Sequence, residues 1–215
     1  MRNIQKGAEP NSLTEHRCKS NSEFTADYDN YSEKDDLRVA LVTEQRGICC
    51  YCMQRIGPEE PKIKIEHWQC QSRYPERQLD FSNMLGACKG GHGKRVDFQH
   101  CDTSKGSQEL TFNPADANSN VESMFKFPGS GKILSASDDE SIQNQLDSVL
   151  NLNNSNLVKN RKSEIDALRL RLRKKNSSDA DLRRDLAKWN GDDGGSLNPF
   201  CQVIVYYLRK KLKMT

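Results

Sequence analysis

The chain has 215 residues, of which 34% are hydrophobic and 29% charged, and its mean hydropathy is −0.87. So low an apolar share argues against a large single core and for a small one reinforced by a metal, a docked partner, or both. The formal net charge of +3 is unevenly spread: residues 154–215 hold 15 Lys and Arg against 7 Asp and Glu, and the remainder holds 18 against 23.

The basic tail suits nucleic acid or an acidic partner surface; the plainer alternative is a solvated helical face. No apolar run approaches the roughly 20 residues needed to span a bilayer. The opening Met1 to Gly7 lacks the apolar segment of a secretory signal, so a cytoplasmic location is expected. In that compartment eight cysteines with metal-like spacing point to a metal site rather than to disulfides.

Residues 1–32 form a polar arm, punctuated by Pro10 and Asn11, that is expected to lie over another element, with His16 as an ordinary surface residue. A helix is predicted over 33–45, where Leu37, Ala40, Leu41 and Glu44 fall at helical spacing, with Ser32 as N-cap and Gly47 ending it. The chain then reaches Cys49-Cys50-Tyr51-Cys52. Lys62 to His67 alternates polar and apolar, which predicts a half-buried strand with Ile63, Ile65 and His67 inward and Lys62, Lys64 and Glu66 outward. A second strand is expected around Met84 to Cys88, and residues 89–100, rich in Gly and Lys, are expected to be a mobile loop.

Phe125 to Pro128 and Lys132 to Leu134 predict a hairpin around Gly129-Ser130-Gly131. From Ser141 onward the pattern is helical, interrupted at Asn153 to Asn156 and again at Gly191 to Gly195. The last helix, Pro199 to Leu212, ends on Arg209-Lys210-Lys211, which complements the helix dipole. Four segments follow: an arm (1–32), a core (33–114), a connection (115–140) and a helical basic region (141–215).

Cys49 and Cys52 have the C-x2-C spacing of a zinc knuckle, Cys88 is the natural third ligand, and Cys101 is preferred as the fourth, with His92 and His100 as competitors. Cys50 reads as a bystander, and Cys18, Cys70 and Cys201 as structural. Glu66-His67 at a strand end suits metal-assisted phosphodiester cleavage: the imidazole takes a proton from water near neutral pH, and the carboxylate holds a hard divalent ion. Neighbours on an ideal strand point to opposite faces, so both serve one site only if the strand bends there.

Residues 49–106 resemble the HNH motif of the zinc-bearing ββα-metal endonucleases. The resemblance implies an α+β fold: a small zinc-stapled ββα-metal core with an N-terminal helix and a mainly α-helical C-terminal extension. It makes His67 the general base and Glu66 a catalytic-metal ligand. Asn83 becomes the residue that ties down the loop between the strands. Asp102 stands where the motif usually has His or Asn, and Lys105 matches a basic residue that contacts phosphate. It implies structural Zn²⁺ on Cys49, Cys52, Cys88 and Cys101, and Mg²⁺ or Mn²⁺ at the catalytic site.

The opening segment, the Cys-Cys-Tyr-Cys knuckle and His100-Cys101-Asp102-x-x-Lys105-Gly106 are most similar to the HNH effectors of Septu and retron anti-phage defence systems. Such effectors work beside a PtuA-like ATPase of the ABC/SMC type, in some cases with a retron reverse transcriptase and its msDNA. The expectation is therefore an endonuclease cleaving nucleic acid, DNA in the first instance, with the tail's apolar faces either docking the ATPase or packing on each other. The alternatives are an RNA-cleaving (for example tRNA-cleaving) growth-arrest effector and a zinc-knuckle nucleic-acid-binding adaptor without catalysis.

Overall fold

A computed structural model describes residues 1–175 and 177–214. Among the described residues the fold is mixed and mostly helical, with two small antiparallel two-stranded sheets. In chain order the elements are α1 (Asn11–Cys18), α2 (Lys34–Glu44), β1 (Lys64–His67), β2 (Met84–Ala87), α3 (Asp102–Lys105), β3 (Phe125–Lys126), β4 (Leu134–Ser135), α4 (Glu140–Asn144, continuing as a π turn to Val149), α5 (Ser155–Lys175), α6 (Asp179–Asn190) and α7 (Cys201–Lys211).

Strand β1 pairs with β2 in the register Lys64↔Ala87, Ile65↔Gly86, Glu66↔Leu85 and His67↔Met84. The end of α2 is locked onto this hairpin by Gln45. Its amide nitrogen donates to the carbonyls of Gly86 (2.7 Å) and Ile48 (2.9 Å), and its amide oxygen accepts from Gly86 N. A Cβ at position 86 would lie 3.1 Å from both Ile56 Cδ1 and Ile63 Cδ1, so glycine lets these side chains pack close against the strand. Gly47, at φ +80°, turns the chain out of α2 towards the knuckle, as expected. Ser32 does not cap α2; Glu33 holds the N-cap position and no side-chain bond is made there.

Several expectations are corrected. One contiguous core draws on every segment, from Met1 and Leu13 through Tyr51, Leu85 and Phe125 to Leu157 and Val203, with the four cysteines of the knuckle region inside it. The low apolar fraction is thus concentrated rather than dispersed. His16 is buried, bonds the Asp27 carbonyl (3.0 Å) and packs its ring against Tyr31. The tail's apolar faces pack on each other: Leu168 and Leu172 of α5 meet Leu182 of α6 and Ile204 and Leu208 of α7. The same faces are therefore not open for an ATPase.

The 89–100 loop is bridged by hydrogen bonds. His100 N donates to Gly90 O (2.8 Å), and Asn151 Nδ2 donates to the carbonyls of Asp97 and Gln99. Gly90 sits at φ +54°, and a Cβ there would come within 2.0 Å of the His100 carbonyl oxygen. Cys101 N, in turn, donates to Leu150 O (2.9 Å) at the end of the π turn. Cys101 itself has a left-handed φ of +56°, unusual for a residue with a side chain. No helix among the described residues is long and apolar enough to cross a membrane.

Candidate functional site

Two constellations lie beside the β1–β2 hairpin. The first is sulfur. The turn after α2 brings Cys49 and Cys52 together, β2 delivers Cys88, and the residue preceding α3 delivers Cys101. All four Sγ atoms lie within 4.8 Å of one another, and all four residues are buried. The Cys49–Cys101 and Cys52–Cys88 separations are 3.8 and 3.6 Å. A tetrahedral ion with Zn–S bonds of about 2.3 Å needs sulfur–sulfur edges of about 3.8 Å, so the donor set fits a metal ion such as zinc.

Burial drives the Cys52 and Cys101 thiols well above their usual range. Burial also opposes ionisation of Cys49, but hydrogen bonds from Cys101 and its other sulfur neighbours hold it well below. Such a sealed sulfur set is best satisfied by a cation. His100 Nδ1 lies outside the set, 3.2 Å from Cys101 Sγ and 3.9 Å from Cys88 Sγ, and His92 is exposed. Buried Arg161 donates to the carbonyls of Gly131 (2.6 Å) and Leu152 (2.7 Å), close enough for Cys52 and Cys101 to interact with its charge.

The second constellation is oxygen and nitrogen. Glu66, His67 and Asp102 line one cleft of 330 Å³, together with Cys70 and Ser107. The outward placement expected for Glu66 is corrected: it is 2% exposed, because Tyr51 and α3 cover that face of β1. Tyr51 Oη donates to Glu66 Oε1 (2.8 Å), and the fully buried Lys105 ammonium lies 2.8 Å from the same oxygen. His67 is the last residue of β1, where the chain leaves the sheet, and this lets it share the cleft with its neighbour.

The His67 Nε2–H donates to the Gln78 carbonyl (2.9 Å), which leaves Nδ1 with its lone pair free. The Tyr28 ring packs perpendicular to the imidazole, with ring centres 4.7 Å apart. Burial holds the His67 pKa below the usual imidazole value. Burial raises the Glu66 carboxyl well above the usual range, reinforced by its hydrogen bond to Asp102. For Asp102 burial works upward too, but the bond from Glu66 and the Lys64 ion pair prevail and hold it low. The two carboxyl groups meet in one cleft, a donor pair that suits a hard divalent cation.

Asn83 is buried and fastens the loop that joins the strands. Its Oδ1 accepts from Gln69 N (2.8 Å) and its Nδ2 donates to the carbonyls of Gln69 (2.9 Å) and Arg77 (3.2 Å). Lys105 departs from the expected phosphate contact. Besides pairing with Glu66, its ammonium donates to the His67 carbonyl (3.2 Å) and has no exposed face.

Sequence reasoning missed Tyr51, Lys64 and Tyr28. Lys64 had a signal: two residues before Glu66 on a strand, it shares that residue's face. Tyr51 and Tyr28 carried none, since their roles arise from packing between distant segments.

No family profile matches the chain. The chain is similar to the Septu protein PtuB of Bacillus thuringiensis, at 27% identity over 135 residues, which is 62% of this chain and 50% of that protein. It thus spans about half the length of this curated relative.

Proposed function

We propose that the chain is a divalent-metal-dependent endonuclease of the HNH type, built on a structural zinc site, and that it serves as the effector of a Septu-like anti-phage system beside a PtuA-like ATPase. The observation that carries this reading is the convergence of Glu66, His67 and Asp102 on one cleft, beside a hairpin stapled by four cysteines. Similarity to PtuB supports the biological setting. DNA is the first substrate to test, with RNA as the alternative arm.

Each side chain has a distinct task. His67 Nδ1, aimed by the Gln78 carbonyl and kept neutral by burial, takes the proton from the attacking water. Glu66 and Asp102 hold Mg²⁺ or Mn²⁺, which when bound stabilises the charge on the phosphate and its leaving oxygen. Lys105 and Tyr51 fix the Glu66 carboxylate, and Lys105 also fixes the backbone of His67. Asn83 holds the loop whose residue Gln78 orients the imidazole. Cys49, Cys52, Cys88 and Cys101 hold Zn²⁺, which fixes Cys101 and hence the adjacent Asp102.

The test is plasmid and oligonucleotide cleavage in Mg²⁺ and in Mn²⁺ by the wild-type chain and by His67→Ala. The variant is expected to lose cleavage while keeping its zinc content and its folding transition. Cleavage retained by His67→Ala would refute the assignment of the base.

A further inference from the structure

A second groove lies apart from the cleft just described. It holds 900 Å³ and runs between the 55–62 turn, the 89–100 loop and the start of α5. Its walls carry Arg55, Lys62, Lys89, Lys94 and Lys159 against one acid, Glu59. Glu59 lies 3.5 Å from Lys62, but both side chains are about two-thirds exposed, so water screens that pair. Among the described residues Lys89, Lys94 and Lys159 make no ion pair, and all three are exposed. A concave surface with four unneutralised or weakly neutralised ammonium groups attracts a polyanion.

Two further observations narrow the ligand. Phe98 lines the groove with 39% of its surface exposed, and nearby Val96 on the same loop is 77% exposed. The loop that carries Phe98 is bonded through the Asn151 side chain and through Gly90, which sets the ring beside the lysines. An exposed ring beside a row of cations is the arrangement that takes an unpaired base on its face and the backbone on its flank. A hydrogen-bonded path links the groove wall to the candidate active site: Thr103 Oγ1 donates to Lys89 O (2.9 Å) and accepts from Lys64 Nζ (3.3 Å), and that same ammonium pairs with Asp102.

We infer that this groove is a track for nucleic acid flanking the scissile bond, gripping the sugar–phosphate backbone of a single-stranded stretch through Lys62, Lys89 and Lys94 and stacking a base on Phe98. The inference rests on the nuclease reading, and it gives that site a defined direction of approach.

The experiment uses the full chain carrying His67→Ala, so that the probe stays intact, with Mg²⁺ present. The probe is a fluorescently labelled single-stranded DNA of roughly 20 nucleotides, or its duplex, read by anisotropy between about 50 and 200 mM salt. Adding Lys62→Ala, Lys89→Ala and Lys94→Ala should weaken single-strand binding on the order of 10- to 100-fold near 0.1 M salt. It should also flatten the slope of log affinity against log salt by about 2. Adding only Phe98→Ala should weaken binding severalfold with the slope unchanged. Zinc content and the melting transition report on folding in every variant.

Equal affinity and equal slope in the triple-lysine variant would overturn the groove while leaving the cleavage test untouched. A loss confined to the duplex would overturn the single-strand assignment. A parent chain that binds neither probe at any salt would overturn the groove, whereas the nuclease reading is decided separately by cleavage in the wild-type chain.

Discussion

Lys105 and Glu66 form an ion pair 2.8 Å long in which the lysine side chain is wholly buried and the glutamate only 2% exposed. Both charges are withdrawn from water, so the pair is held by its geometry and by the added bonds from Tyr51 and to the His67 carbonyl. Lys105→Met leaves Glu66 without its cation. The variant is expected to lose roughly 3 kcal/mol of stability, read from denaturant unfolding. It should also require more Mg²⁺ for half-maximal cleavage, because the Glu66 carboxyl then holds its proton more tightly.

Lys64 makes the opposite prediction. Its ammonium pairs with Asp102 at the mouth of the cleft, where a divalent cation would compete for the same carboxylate. Lys64→Met should therefore bind Mn²⁺ severalfold more tightly in calorimetric titration of the His67→Ala chain. Unchanged affinity would show that the ammonium leaves Asp102 at no cost.

The acid limb of cleavage follows from His67. Burial lowers its pKa below the usual value near 6.5, and only the neutral ring accepts a proton. Activity should thus fall as pH drops through a midpoint below about 6.5 and stay level from there to neutrality. The profile must be taken at saturating metal, since the raised Glu66 carboxyl makes metal binding itself weaken as pH falls. A midpoint above about 7 would contradict the burial argument.

Removing a sulfur ligand should act on folding before chemistry. Cys52→Ala is expected to purify with less than one zinc and to melt without a cooperative transition around the hairpin. His100→Ala should keep its zinc, because its ring stands outside the four-sulfur set. Zinc released by a thiol-reactive mercurial and measured with a chromogenic chelator distinguishes the two.

Much of this arrangement was legible in the residues. C-x2-C announced the sulfur cluster, and the alternation before His67 announced β1. The helical periods of α2 and α7 and the helical pattern from Ser141 onward were plain, and so was the hairpin around Gly129 to Gly131, found as β3 and β4. What stayed hidden depended on contacts between distant segments. Alternation placed Glu66 outward because period-two reasoning knows one strand and not the Tyr51 and α3 that cover its second face. The pairing of Lys105 with Glu66 and the burial of His16 by Tyr31 are tertiary facts of the same kind. The Asn151 side chain that bonds the 89–100 loop lies some fifty residues on, beyond the reach of the local Gly and Lys pattern.

Cys101 has one foot in each half of the protein. Its sulfur belongs to the cluster that staples the hairpin, its amide hangs from Leu150 at the end of the helical turn, and the next residue is Asp102. A tug on the 145–150 turn must therefore either break that hydrogen bond or drag Asp102 with it, so the helical half has a mechanical handle on the carboxylate.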